Sequence, residues 1–302
     1  MFSDRIEAGV HGRLFVAEVP STLENKPIPH AAPSRLPRAK KSLGQHFLVD
    51  RGVLRRIVEA ADLSPADVVV EIGPGQGLLT RELAAQAGRV IAVELDDALA
   101  ARLMEEFKSQ PHVSVIHADA REVDIEALVE PGTPFKLVAN LPYYAASPII
   151  RRFLRATHKP SLMVVMVQRE VAREMAAQPD EMGFLSLTTQ LYAKPRLVCT
   201  VPPGAFRPRP KVASAVLRLD TLPRLALDVD HEERFIEMVR AGFSAPRKQL
   251  HNCIRKGLDL PPDAVGKMLA EAGVEPTRRA ETLSMAEWGA LYRAFKRLGP
   301  AG

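Results

Sequence analysis

Asp67-Val68-Val69-Val70-Glu71-Ile72-Gly73-Pro74-Gly75-Gln76-Gly77 is the stretch that decides the fold. Its first half is a short valine-rich run, the pattern of a strand buried on both faces in a parallel sheet. Its second half carries three glycines, and Leu78–Ala87 beyond it has helical composition. A strand that passes through glycines into a helix places a turn at the C-terminal edge of a sheet, where α/β folds bind ligands. Glycine there lets the backbone approach a ligand closely. A glycine turn by itself is weak evidence, so the weight falls on what lies downstream.

The same pattern repeats downstream. Arg89–Val93 ends at Glu94, which lies where such folds keep an acid that grips ribose hydroxyls, about twenty residues past the glycines. His112–His117 reads as a third strand and runs into Ala118 and Asp119, whose carboxylate suits an adenine amino group. Phe135–Ala139 is the fourth and ends at Asn140. Four apolar strands, each ending in a polar residue and separated by helical stretches, describe an α/β Rossmann-like doubly wound sheet. Any one of these acids is more often a helix cap; their ordered repetition points to one row of ligand-binding groups.

Two nucleoside cofactors suit this row, a nicotinamide dinucleotide and S-adenosylmethionine. The dinucleotide fingerprint is G-x-G-x-x-G, whereas here the third glycine is Gly77 and Leu78 follows. Pro74 also lacks the N–H that a pyrophosphate would use. S-adenosylmethionine is the better fit, and Asn140-Leu141-Pro142-Tyr143 strengthens it. The exocyclic N6 of adenine is a poor nucleophile because its lone pair is delocalised into the ring. An Asn oxygen and the next backbone carbonyl can accept both N–H protons and localise that pair as charge develops. Pro142 stiffens the loop and helps present the Leu141 carbonyl, while Tyr143 can stack on an extruded base, an interaction worth roughly 1–3 kcal/mol.

At 302 residues, 46% of them hydrophobic, the chain exceeds one typical domain. Residues 1–36 carry several prolines without sustained apolar periodicity and read as a disordered extension. Residues 37–220 read as the catalytic domain, and residues 221–302 as a small all-helical domain that binds RNA. In the latter, Phe235, Met238, Val239, Val265, Met268, Leu269, Trp288, Leu291 and Phe295 recur at helical spacing and should form its core. Apolar runs such as Leu162–Val167 are too short to cross a bilayer, and the N-terminus lacks a signal-peptide pattern, so a cytoplasmic protein without a membrane partner is expected. Cys199 and Cys253 stand apart from each other and from any His or Cys cluster, which indicates neither a zinc site nor a disulfide framework. No metal is expected, and nothing requires more than a monomer.

The net charge of +5 suits a polyanionic partner. Its distribution says more: Arg151, Arg152 and Arg155 follow the Asn140–Tyr143 segment, and Arg207, Arg209 and Lys211 surround a late Pro-rich segment. In Ser244–Gly257, Pro246 and Gly257 frame an expected helix with Arg247, His251 and Arg255 at four-residue steps and Lys248 beside them. These three clusters are the candidate RNA contacts.

The motifs together resemble the ribosomal RNA adenine N6-dimethyltransferases. Lys41-Ser42-Leu43-Gly44-Gln45-His46-Phe47-Leu48 is similar to that family's N-terminal cofactor motif, and Glu71–Gly77, Glu94, Asp119 and Asn140–Tyr143 to its later ones. Gln168–Ala172 and Gly183–Ser186 resemble its middle segment, and Phe206-x-Pro208-x-Pro210-x-Val212-x-Ser214 its late signature. The resemblance covers roughly Lys40 to the C-terminal end and leans to the small-subunit branch.

It implies that His46, Leu48, Gly73, Glu94, Asp119 and Asn140 contact S-adenosylmethionine or its surroundings, and that Asn140, Leu141 and Tyr143 hold the target adenine. Phe206 either closes the other face of that base or packs as a core aromatic. It further implies dimethylation of N6 on two adjacent adenosines in the 3′-terminal hairpin of 16S rRNA, linked to small-subunit biogenesis. The alternatives are methylation of 23S rRNA of the macrolide-resistance type and a noncatalytic ribosome-assembly factor. Two positions depart from the family pattern: His46, where Asn is common, and Tyr144, where close relatives often carry Asn.

Overall fold

The structure, a computed structural model, describes residues 44–298. The expected extension at 1–36, Lys41–Leu43 of the N-terminal motif and residues 299–302 lie outside the described residues.

The chain alternates strand and helix from its first described element: β1 (Phe47–Leu48), α1 (Arg51–Ala61), β2 (Val68–Ile72), α2 (Leu78–Ala84), β3 (Arg89–Glu94), α3 (Asp97–Glu106), β4 (Val113–His117) and α4 (Ile125–Leu128). It continues through β5 (Phe135–Asn140), α5 (Ala146–Arg155), β6 (Leu162–Gln168), α6 (Arg169–Met175), α7 (Phe184–Gln190), β7 (Ala193–Val201), β8 (Phe206–Arg207) and β9 (Ser214–Thr221). Four further helices complete it, α8 (Glu232–Gly242), α9 (Leu250–Gly257), α10 (Pro262–Glu271) and α11 (Met285–Arg297).

Seven strands form one sheet in the order β4-β3-β2-β5-β6-β9-β7. The first five are mutually parallel, and β9 joins β6 and β7 antiparallel. Order reverses at β2, which has β3 on one side and β5 on the other, so the crevice above β2 and β5 is the topological switch point. Ile72 pairs with Ala139, which sets Gly73 and Asn140 side by side at that crevice.

Alternate residues explain why the strands read as continuous apolar runs. Val70, Ile72, Leu137 and Ala139 pack into one buried cluster, and Val69 and Val138 into another on the opposite face. A sheet covered on both faces has no solvent side to mark with polar residues. The first cluster runs on without a break into the C-terminal helices, where all nine expected core residues are buried, Trp288 among them. Arg155 at the end of α5 clasps this junction by pairing with Glu232 and Glu233 of α8.

One expected helix is shorter than its sequence suggests. Ser244–Gly257 becomes helical only at Leu250, because Gln249 is extended (φ −65°, ψ 145°). The Leu250 N–H is taken by the Arg278 carbonyl (2.7 Å), and Lys248 closes a turn onto Ala245 (2.9 Å). A long-range backbone bond therefore sets the start of α9. Arg247 and Lys248 stand in the turn before it, so Arg247, His251 and Arg255 do not form one helical face.

Candidate active site

The glycine loop supplies the floor of the site. Gly73, Gly75 and Gly77 all take positive φ (69°, 58° and 76°), a conformation that disfavours other residues. At Gly75 space is also short, since a Cβ would come within 3.1 Å of the Phe47 ring. The Gly73 N–H bonds back to the Val93 carbonyl (2.9 Å), tying the loop to the end of β3.

Glu94, at that end, is buried. Its Oε2 accepts the Gly75 N–H (2.9 Å) and its Oε1 the Asp96 N–H (2.9 Å). Burial pushes its carboxyl up, against the pull of these backbone donors. Asp96 in turn caps α3 by accepting from Ala98 and Leu99, and it receives the Gln45 amide (3.3 Å). A fixed carboxylate with its oxygens already oriented by N–H groups is a ready acceptor for a vicinal diol.

Asp119 follows β4 and holds Arg121 in a fork, with Nε 3.0 Å from both carboxylate oxygens and the Arg121 N–H at 2.8 Å. The Arg121 guanidinium holds the Asp119 carboxyl below the usual carboxylate range. It therefore remains an acceptor at neutral pH. The same guanidinium lies 5.9 Å from the centre of the Tyr144 ring.

The opposite wall comes from β5 and the segments folded over it. The Asn140 side-chain Nδ2 donates to the His46 carbonyl (3.2 Å), which leaves Oδ1 as the acceptor end of the amide. Leu141 is buried and its N–H bonds to the Met166 carbonyl (3.2 Å), while the Pro142 carbonyl accepts from Ala145 (3.0 Å). These two bonds fix the chain on either side of the Leu141 carbonyl. The Tyr143 hydroxyl and Ser214 Oγ share a 2.7 Å hydrogen bond. Burial pushes the Tyr143 phenol up, so it stays neutral.

His46 joins three segments. Its backbone carbonyl holds Asn140, its ring lies 5.7 Å from that of Tyr143, and its Nδ1 is 2.8 Å from the Pro208 carbonyl. A carbonyl can only accept, so Nδ1 carries the proton in this contact. The pairing of β1 with β8, Phe47 with Arg207 and Leu48 with Phe206, brings these segments together.

A cleft enclosing about 820 Å³ of open space lies between the two walls. His46, Gly73, Glu94, Asp119, Asn140, Leu141, Tyr143 and Phe206 all line it. Leu48 lies apart, lining a smaller hollow beside Gly73 and Asn140. Phe206 is both things the sequence allowed: 1% exposed within an apolar cluster, and part of the cleft lining.

The structure divides the expected RNA contacts. Arg151, Arg209, Lys211, Arg247, Lys248 and Arg255 are exposed. Arg152 donates instead to the Ala120 and Glu122 carbonyls, and Arg207 to Gly204 and Phe206. Together with Arg155, these cations are occupied by the protein's own acceptors. No group of three or more His, Cys, Asp or Glu placed to hold a metal occurs among the described residues. No helix among them is long and apolar enough to cross a membrane.

Sequence reasoning missed Gln45, Ser214 and Arg121 as working parts of the site. Gln45 and Ser214 stood in recognised motifs, but their partners, Asp96 and Tyr143, are far away in sequence. Only Arg121 had a local cue, its two-residue spacing from Asp119. Glu71, read only as part of the glycine motif, is also a buried carboxyl. Burial pushes it up to about 8, Thr80 opposing and the neighbouring Glu94 charge adding to the rise.

The donor set fits S-adenosylmethionine. Glu94 offers oriented acceptors for ribose hydroxyls, ionised Asp119 an acceptor for an adenine amino group, and the loop at Gly73–Gly75 a close-approach surface. Residues 37–297 match the profile of the family described as ribosomal RNA adenine dimethylase. The chain is 49% identical over 258 residues to a ribosomal RNA small subunit methyltransferase A of Dehalococcoides mccartyi, covering 85% of this chain and 89% of that one. Among solved structures it is similar to the 23S rRNA methyltransferase ErmE (TM-score 0.66, 30% identity, 83% of this chain and 99% of that one). It shares its fold with a dimethyladenosine transferase from Plasmodium falciparum (TM-score 0.73, 24% identity, 84% and 98%). The chain belongs to the ribosomal RNA adenine dimethylase family, and it is an S-adenosylmethionine-dependent methyltransferase of ribosomal RNA.

Proposed function

We propose that the chain dimethylates N6 of two adjacent adenosines in the 3′-terminal hairpin of 16S rRNA, as a monomer acting in the cytoplasm on the small subunit or its precursor. The observation that carries this reading is the Asn140 amide, turned by the His46 carbonyl so that its oxygen end is the acceptor, at the sheet edge beside Tyr143. Bound in the cleft, S-adenosylmethionine supplies a sulfonium methyl group.

His46, Leu48, Gly73, Glu94, Asp119 and Asn140 surround the bound donor in this reading, with His46 and Asn140 reaching it from the base wall. Asn140 Oδ1 and the Leu141 carbonyl accept the two amino protons of the target, drawing its nitrogen toward tetrahedral geometry as positive charge develops. Tyr143 and Phe206 hold the base between them. After one transfer a single proton remains on the nitrogen, and either acceptor suffices to aim the lone pair. The product ammonium is strongly acidic and loses its proton without a dedicated strong base.

The 16S assignment rests on similarity to a relative named for the small subunit at 49% identity, against 30% for the 23S enzyme. Residues 221–302 serve as the RNA-binding helical domain, with Arg151, Arg209, Lys211, Arg247, Lys248 and Arg255 as the phosphate contacts. The test is incubation with labelled S-adenosylmethionine and, separately, unmodified 30S subunits, 50S subunits and duplex DNA, followed by mass spectrometry of the nucleosides. N6,N6-dimethyladenosine in 16S rRNA alone is the expected result. Label in 23S rRNA or DNA moves the substrate, and binding to 30S particles without label favours an assembly factor.

A further inference from the structure

A second cleft adjoins the first at His46 and Tyr143, enclosing about 1,030 Å³ of open space. It shares Gly44, Gln45, His46 and Tyr143 with the donor cleft, so these residues form a partition the two have in common. The partition is held at both ends. His46 Nδ1 donates to the Pro208 carbonyl, and the Tyr143 hydroxyl is bonded to Ser214.

The outer cleft is lined by Gln168, Arg209 and Lys211. Both cations are exposed and neither forms an ion pair with any described carboxylate. This sets them apart from Arg152, Arg155 and Arg207, whose donors are spent within the protein. Cations without an acidic partner among the described residues, beside a polar amide, suit a phosphodiester with a base attached.

The proposed reaction imposes a further demand. A target adenosine in the inner cleft stays joined through its phosphates to the nucleotides on either side, and one of these is the other adenosine to be modified. That neighbour needs room within one phosphate link of Tyr143. We infer that the outer cleft receives the neighbouring nucleotide of the adenosine pair, with its phosphate on Arg209 and Lys211 and its base beyond the His46–Tyr143 partition. The inference rests on the 16S reading given above and adds a subsite to it.

Arg209→Gln with Lys211→Gln removes the charge without touching packed residues, and Val212→Trp, at a position 39% exposed on the cleft lining, fills the space. The double variant is expected to keep wild-type affinity for S-adenosylmethionine and wild-type melting. It should raise KM for unmodified 30S subunits about tenfold and lower the slope of log K against log salt by roughly 1.4 to 2, the loss of two phosphate contacts.

Val212→Trp is expected to lose 30S methylation at least tenfold with cofactor affinity and melting unchanged. A charge effect without a packing effect would mean only a general phosphate track and would overturn the subsite. Wild-type kinetics in both variants would overturn it as well. In either case wild-type labelling of 16S rRNA would leave the substrate reading standing. Failure of the wild type to label 16S rRNA would sink both.

Discussion

The two walls of the cleft are built differently. The donor wall is tied mostly over short spans of chain: Gly75 reaches Glu94 across 19 residues and Glu94 reaches Asp96 across two, with a longer tie from Gln45 to Asp96 across 51. The base wall is tied over long ones: Asn140 to His46 across 94, Tyr143 to Ser214 across 71, and His46 to Pro208 across 162. The sheet edge assembles most of the first, whereas the second exists only once β1 and β8 have closed over it. Damage to the donor wall should therefore appear in stability and cofactor affinity, and damage to the base wall in rate and RNA dependence.

The largest effect belongs to Glu71, behind the donor wall. Its Oε2 is buried without a hydrogen-bond partner among the described residues, and the carboxyl rises from 4.5 to about 8 on folding. The folded state thus holds a proton that the unfolded state releases between these two values, so stability falls as pH rises through that window. The full loss is on the order of 5 kcal/mol above the folded value. Glu71→Gln cannot ionise, and its denaturation midpoint minus that of wild type should climb from pH 5 to pH 9. A pH-independent difference would show that Glu71 titrates normally.

Asn140→Ala tests the base wall at its centre. Removing one oriented acceptor of a developing charge costs about 10²- to 10³-fold in turnover, or roughly 3–4 kcal/mol. Single-turnover methylation of unmodified 30S subunits measures it. Turnover within a few-fold of wild type, in a protein with normal melting, would reject Asn140 as the amine acceptor.

Glu94→Gln returns to the donor wall. One carboxylate oxygen becomes an amide nitrogen that cannot accept from Gly75 or Asp96, and the acceptor pair for the ribose is broken. Loss of a charged hydrogen bond of this kind is about 1.5–3 kcal/mol, or roughly 10- to 100-fold in cofactor affinity. Calorimetric titration with S-adenosylmethionine reads it directly. Unchanged affinity would mean that the ribose binds elsewhere.

Tyr143→Ala is the matching probe of the base wall. It should weaken RNA productive binding by about 1–3 kcal/mol through lost stacking, with cofactor affinity spared. Tyr143→Phe keeps the ring and loses only the Ser214 bond, about 1 kcal/mol. A selective loss of cofactor binding in Tyr143→Ala would contradict the division of the cleft into two walls.

The contrast in span also explains what could be read from the sequence. The four strands, the glycine turn and the row Gly73, Glu94, Asp119 and Asn140 were legible because each depends on a local rule, apolar run followed by polar terminus. The pairing of Leu48 with Phe206 had no local trace. Without it nothing in the sequence could assign the His46 carbonyl to Asn140 or Ser214 to Tyr143. Which cations the protein itself occupies was illegible for a related reason. Whether an arginine meets RNA or a carbonyl depends on neighbours far away in the chain, which is why Arg151 and Arg155 looked alike and fold differently.

That pair provides the smallest test. Arg151 and Arg155 both lie on α5, yet only Arg155 is committed, clasping Glu232 and Glu233 across the junction with the C-terminal helices. Its side chain is 36% exposed, so water screens the pair and its loss should be worth about 1 kcal/mol or less. Arg155→Gln is therefore expected to lower the melting temperature by a few degrees, leaving the salt dependence of 30S binding unchanged. Arg151→Gln should do the reverse, sparing melting while lowering the salt slope by about one. If both variants changed the salt slope alike, the clasp would be loose enough in solution for Arg155 to trade its glutamates for phosphate. Exposed ion pairs would then compete with RNA along the whole of this surface.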